Sequence, residues 1–293
     1  MMKKIRISLM GFVVALVVFF QAAAQNDVLE ETQVYKSIDN IDLTVNIFYS
    51  KERQTRENNP AIAFFHGGGW AFGSPQEFHG ACRRYAEMGF ITFSFAYRLS
   101  INEDGTVPHP DITPVESTKD ARSAMRWIKE NADQWNIDPQ KIVASGQSAG
   151  GQLALSTAMM DDVNESSDNL SIDPSPAAFL LYSSTVNTME AWADRLLGDR
   201  RQEIWSISPY HNVKPNLPPA IEFHGMDDPT VYFWVVGLFK EKTMAAGNYF
   251  ELVPYKGREH YLGEGNEKYA TYFDEEIMER SDQFLEKFGL MPD

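Results

Sequence analysis

The chain has 293 residues, of which 43% are apolar, 13% aromatic and 23% charged, a globular composition that excludes a disordered, collagen-like or polytopic membrane protein. Lys and Arg number 26 against 41 Asp and Glu, a formal charge of −15, which makes nucleic acid and anionic membrane surfaces poor partners. The single cysteine, Cys82, excludes an internal disulfide and any Cys-rich metal site.

In chain order, the first pattern is a leader. Lys3, Lys4 and Arg6 precede an apolar run of 12 residues, 9–20, and Ala22, Ala23 and Ala24 offer a small-residue cleavage site before Gln25. This predicts a signal peptide over 1–24 and export of a single domain over 25–293 to the periplasm or beyond. An uncleaved anchor is the competing reading, but the run is short for a membrane span. No cysteine stands near the cleavage site, which excludes a lipid-modified cysteine there. Cleavage removes three basic residues and no acidic ones, leaving 269 residues with a formal charge of −18.

Eight strands are expected, mostly alternating with helical patterns in the manner of βαβ units. Residues 33–38 form one. In 41–49, Ile41, Leu43, Val45, Ile47 and Tyr49 alternate strictly, as in an antiparallel edge with one wet face. Segments 61–65, 90–96, 141–145, 178–182, 220–223 and 249–253 are nearly continuous apolar or β-branched runs, suited to a sheet covered on both faces. Cys82 falls in a helical stretch, 81–88, as a small buried hydrophobe. Segment 117–135 is helical, with Ala121, Ala124, Met125, Ile128, Ala132 and Trp135 on one side, and Asp138-Pro139 turns the chain into the next strand. Residues 161–176 read as a surface loop. The insertion 185–219 holds a short helix pattern and a Pro-rich return, a candidate cap over the strand ends. A last helix over 267–288 has Phe273, Ile277, Phe284 and Phe288 near one stripe, with its acidic residues on a solvated face.

Two glycine-rich turns carry chemistry. His66-Gly67-Gly68-Gly69-Trp70 follows the 61–65 run, and its glycines let backbone amides point at a ligand. A phosphate-binding loop is the alternative, but no downstream Gly-Lys-Ser/Thr accompanies it. His66 is expected to fix the loop. Gly146-Gln147-Ser148-Ala149-Gly150 lies between a strand and the helical run 152–160. That spacing alone is weak evidence in a chain with 19 glycines; the strand–turn–helix context carries it. It presents Ser148 as a nucleophile, and the amides of Gly68, Gly69 and Ala149 form an oxyanion hole. A serine that merely caps the helix is the competing reading. The general base comes from His211, His224 or His260; His260, in the loop 257–261 after a strand, is best placed. Asp227 and Asp228, in His224-Gly225-Met226-Asp227-Asp228-Pro229, are both candidates for the orienting acid, and either suits a turn.

These motifs, with Ala96-Tyr97-Arg98-Leu99 and Asp120, resemble the HGGG esterases of the α/β-hydrolase fold, the group related to hormone-sensitive lipase and to bacterial acetylxylan and feruloyl esterases. The resemblance covers essentially the whole of 25–293. It implies a mostly parallel eight-stranded sheet with helices on both faces and a small cap, and it selects Asp228, which stands before Pro229. Glu259 before His260 and Gln147 before Ser148 depart from the group's usual residues without touching the triad.

The expectation is a secreted serine carboxylesterase, needing no metal or cofactor, that cleaves a small acyl ester or an acylated polysaccharide. Acetyl or feruloyl groups on carbohydrate are favoured. Trp70, Gln147, Trp192, Trp205 and Trp234, with Phe233, are candidate substrate contacts, although core packing competes for each aromatic. A lipid esterase, a serine peptidase and a non-catalytic hydrolase-fold binding protein are the alternatives. No nucleic-acid partner and no stable membrane insertion after leader cleavage are expected; the oligomeric state is left open.

Overall fold

The computed structural model describes residues 28–189, 191–263 and 274–292. The predicted leader lies outside them, as do the first residues of the helix expected from 267.

Eight strands form one sheet: β1 (Val28–Ile38), β2 (Ile41–Ser50), β3 (Asn59–Phe65), β4 (Ile91–Phe95), β5 (Ile137–Gln147), β6 (Ala178–Tyr182), β7 (Ala220–Gly225) and β8 (Phe250–Tyr255). Their spatial order is β1-β2-β4-β3-β5-β6-β7-β8. β1 pairs antiparallel with β2, β2 pairs antiparallel with β4, and every pairing from β4 to β8 is parallel. The fold is therefore the expected mostly parallel one. The alternating segment is the second strand, and β1 forms the edge.

The central strands are apolar throughout because both faces are covered. In β3, Ala61, Ala63 and Phe65 join one core while Ile62 and Phe64 join another. The first core takes α2 (Pro114–Glu130), α3 (Ala149–Met159) and α5 (Phe233–Ala245); the second takes α1 (His79–Glu87) and α6 (Glu275–Lys287). Cys82 is buried in the second core. Between β6 and β7 lies α4 (Ala191–Leu197), the short helix of the insertion.

Several elements differ from the sequence reading, β1 among them, which starts five residues earlier than expected. The long helix starts earlier, at Pro114, because Thr113 and Glu116 close a capping box, and its end tightens into a 3-10 turn over Ala132–Trp135. β5 begins at Ile137, so Asp138-Pro139 lies within it. The ladder absorbs them as an irregularity, with Asn59 opposite Ile137 and Ala61 opposite Ile142. Helix α5 was not expected, since its apolar residues show no single stripe. Val235, Val236 and Phe239 are buried while Trp234 and Leu238 are exposed.

Candidate active site

The site lies at the C-terminal ends of the parallel strands, where open α/β sheets place ligands. Ser148 sits between the last residue of β5 and the first of α3, with φ 55° and ψ −120°. This is strained backbone for a non-glycine residue, worth on the order of 1–3 kcal/mol. Hydrogen bonds hold it: the Ser148 amide donates to the Tyr182 carbonyl at 3.0 Å, and the Ser148 carbonyl accepts from Gly151 and Thr185 at 3.0 Å each. The flanking glycines are sterically required, since a Cβ on Gly146 would lie 2.2 Å from the Gly150 carbonyl oxygen and one on Gly150 would lie 2.0 Å from that of Phe65.

The 66–70 loop follows β3 and lies beside this elbow. Gly68 has φ 112°, and a Cβ there would strike the Phe72 carbonyl oxygen at 2.1 Å. The Phe72 amide donates to the Gly68 carbonyl at 2.9 Å, closing the turn. Among the described residues none accepts a hydrogen bond from the Gly68 or Gly69 amide. Ala149, first residue of α3, has an amide with no partner within its helix. His66 is buried and stacks on Tyr97 at 4.2 Å, and the Tyr97 hydroxyl donates to the His66 carbonyl at 2.9 Å. Its place is in the scaffold of the loop.

His260, after β8, and Asp228, after β7, meet. His260 Nδ1 donates to Asp228 Oδ2 at 2.8 Å. The other carboxylate oxygen, Oδ1, accepts from the amides of Thr230 and Val231 at 2.8 and 2.9 Å. Burial opposes the charge of Asp228, but hydrogen bonds from His224 and His260 prevail and hold its pKa well below the usual carboxylate range. Asp227 is exposed, and its amide donates to the Arg258 carbonyl at 3.1 Å. Its role is in the turn. His211 belongs to the insertion, with Nδ1 2.8 Å from Ser208 Oγ. His224 is fully buried behind Asp228.

Ser148, His260, Gly68, Gly69, Gln147, Trp192, Pro229, Thr230 and Tyr261 line one cleft of about 290 Å³. His260 Nε2 lies 3.2 Å from Gln147 Nε2, and no Ser148–His260 hydrogen bond is formed among the described residues. Gln147 is wedged against Gly67, where a Cβ would lie 2.1 Å from its Oε1. Such nucleophile–base contacts are often long in unliganded hydrolases and tighten with substrate.

The aromatic candidates separate. Trp192 lines the cleft and also an apolar neighbour of about 170 Å³ with Ala71, Phe72, Val107, Arg195 and Leu196. Trp70 does not face substrate. It is fully buried, donates Nε1–H to Gln152 Oε1 at 2.9 Å and stacks on Trp192 at 4.8 Å, so it supports the wall from behind. Trp205 is exposed in a different groove, with Met189, Asp194 and Arg201. Trp234 stands exposed on α5 against Tyr232, outside the cleft lining, and Phe233 packs toward the His224 ring at 6.0 Å. Thr230 and Tyr261 line the cleft without having been singled out, although both adjoin triad motifs in the chain. Among the described residues no group of three or more His, Cys, Asp and Glu could hold a metal, and no helix is long and apolar enough to cross a membrane.

A family model, BD-FAE, matches residues 45–242. Lipase 2 of Moraxella sp. is 30% identical over 141 residues, which cover 46% of this chain and 30% of that protein. Carboxylesterase NlhH of Mycobacterium tuberculosis is 32% identical over 106 residues, covering 36% and 30%. The matches thus span about a third of the length of these curated relatives. Thermogutta terrifontis esterase 2 aligns over 90% of this chain and 96% of its own, with 34% identity and a TM-score of 0.79. The chain belongs to the BD-FAE family of α/β-hydrolase-fold esterases.

Proposed function

We propose that the chain is a secreted serine carboxylesterase that removes short acyl groups, acetyl or feruloyl, from carbohydrate. The observation that carries the chemistry is the convergence of Ser148, His260 and the Gly68–Gly69 backbone on one cleft, with Asp228 behind His260. Ser148 Oγ attacks the ester carbonyl while His260 Nε2, released from Gln147, takes its proton. The tetrahedral oxyanion accepts hydrogen bonds from the amides of Gly68, Gly69 and Ala149, each worth about 3–4 kcal/mol in a transition state. Asp228 fixes the imidazole tautomer and stabilises the imidazolium. Collapse expels the alcohol, which takes the proton from His260. Water, deprotonated by His260, then attacks the acyl-enzyme, and the acid leaves as Ser148 regains its proton. No step calls on a metal.

Short acyl groups are supported by the size of the apolar pocket beside Trp192. Its volume of about 170 Å³ equals roughly six water volumes, which suits a few carbons or one ring. Thermogutta terrifontis esterase 2 has been solved with butyrate and with propionate bound, and phosphorylated by paraoxon. Lipase 2 makes a lipid ester the second reading. Export rests on the 1–24 pattern.

The experiment compares the parent with Ser148→Ala on p-nitrophenyl acetate, then measures acetate and ferulate released from acylated polysaccharides. Turnover by Ser148→Ala near the parent's rate would sink the mechanism. Cleavage of the nitrophenyl ester with no acid released from any polysaccharide would sink the substrate class. An exported chain still carrying Met1 would sink the cleavage site.

A further inference from the structure

Behind the acid of the triad, β7 carries two ionisable groups that the esterase mechanism leaves unused. Glu222 and His224 are both fully buried. His224 Nε2 lies 2.8 Å from the Val231 carbonyl oxygen, which can only accept, so Nε2 carries a hydrogen. The same Nε2 is 3.3 Å from Asp228 Oδ2, the oxygen that also receives His260 Nδ1–H at 2.8 Å. On the opposite edge of the ring, Nδ1 lies 3.2 Å from Glu222 Oε1. A lone pair there would face a carboxylate, so the geometry requires a proton between them. Glu222 Oε1 also accepts from the Ser184 amide at 2.8 Å, while Oε2 has no hydrogen-bond partner among the described residues. Among the described residues, His224 is the one titratable side chain at hydrogen-bond distance from Glu222.

We propose that His224 is a positioning residue: held as an imidazolium by Glu222, it clamps Asp228 from behind, keeping the carboxylate ionised and turned toward His260 Nδ1. The inference rests on the triad assigned above. Asp228 then stands between two imidazoles, His224 on the buried side and His260 on the side of the cleft. The groups facing this line are Glu222 on β7, the Ser184 amide after β6, the Thr230 and Val231 amides in the acid's own loop, and Gln147 on the far side of His260. Burial opposes the cation, but the hydrogen bonds to Asp228 and Glu222 prevail and push the His224 pKa up to about 9.

The test uses the full chain labelled with ¹⁵N-histidine. Of its 6 histidines, one ring is expected to keep both nitrogens protonated at pH 8, with its signal absent from His224→Gln. Finding no such ring in the parent overturns the proposal, and this readout holds even if the variant does not fold. In kinetics with p-nitrophenyl acetate, His224→Gln should hold KM within about twofold while kcat falls about tenfold. The acid limb of its kcat/KM profile should move to higher pH, because an Asp228 charge no longer offset by His224 favours the His260 imidazolium. Glu222→Gln should also lower kcat, and the double variant should be no worse than His224→Gln alone. An acid limb that stays where the parent's lies would overturn the proposal as surely as a neutral ring. Activity surviving in Ser148→Ala would instead break the triad reading and leave the NMR result standing, so the two failures are separable.

Discussion

Two regions of this molecule bury charge, and they do so to different ends. Beside β1 and α2, Arg98 meets Asp120 at 2.8 Å and Glu165 at 2.7 Å, while Lys36 meets Asp120 at 2.7 Å. The Arg98 amide also donates to Asp120 Oδ2 at 2.9 Å. Each of these four charges is met by an opposite charge. At the strand ends, Asp228 is equally well met, but the groups beyond it are not: among the described residues the Gly68 and Gly69 amides have no acceptor, and His260 Nε2 faces the Gln147 amide. A closed ionic cluster specifies packing. An open one keeps donors and acceptors in reserve for a reacting atom.

The sharpest way to break this comparison is to exchange the effects of the two regions. Asp228→Asn should cut kcat by about 10³–10⁴-fold through loss of the correct His260 tautomer, with the fold retained. Asp227→Asn, at the exposed neighbour, should stay within about twofold. If the Asp227 variant is the crippled one, the acid is misassigned. Asp120→Asn should do the reverse. It leaves Glu165 as the one carboxylate facing both Arg98 and Lys36 and should cost up to about 3–5 kcal/mol of stability in chemical denaturation, while the folded fraction keeps its turnover. Loss of specific activity without loss of stability would place the ionic cluster in the site after all.

A smaller effect is expected in pH. The His224 pKa is raised above its unfolded value, so its contribution to stability is complete below about pH 6.5 and is lost as pH rises through about 9. The Asp228 pKa is lowered, so its contribution is present above about pH 4 and fades as pH falls toward its folded value. The parent's Tm should therefore decline on the alkaline side between those limits, and His224→Gln should flatten that decline. An unchanged alkaline slope in the variant would show that this ring does not carry the titration.

Much of this was legible in the residues. The continuous apolar runs of β3, β4, β6 and β7 announce a doubly covered sheet, and glycines at 146 and 150 announce the elbow because a Cβ fits at neither. What escaped depends on contacts far apart in the chain. Turn chemistry alone does not separate Asp227 from Asp228; the family resemblance selects Asp228, and its contact with His260 supplies the physical reason. Trp70 ends a glycine-rich loop and reads as a ligand-facing ring, but a backbone φ of 57° accompanies a ring packed under Trp192. Helix α5 hides because its two apolar sides answer to different neighbours. The pairing of His224 with Glu222, two residues apart on a strand, shows its meaning only when Val231 and Asp228 close over the ring.

The sheet also divides the interior in a way that bears on how the chain tolerates change. Ile62 and Ala63 are covalent neighbours, yet one belongs to the core under α1 and α6 and the other to the core under α2 and α3. With the backbone layer between them, the two interiors are thermodynamically separate ledgers. Substitutions placed one on each side should combine additively to within about 0.3–0.5 kcal/mol where they share no partner, whereas two on the same side should not. Each core can therefore drift or be repacked without reference to the other, while the strand ends that both support keep Ser148 in place.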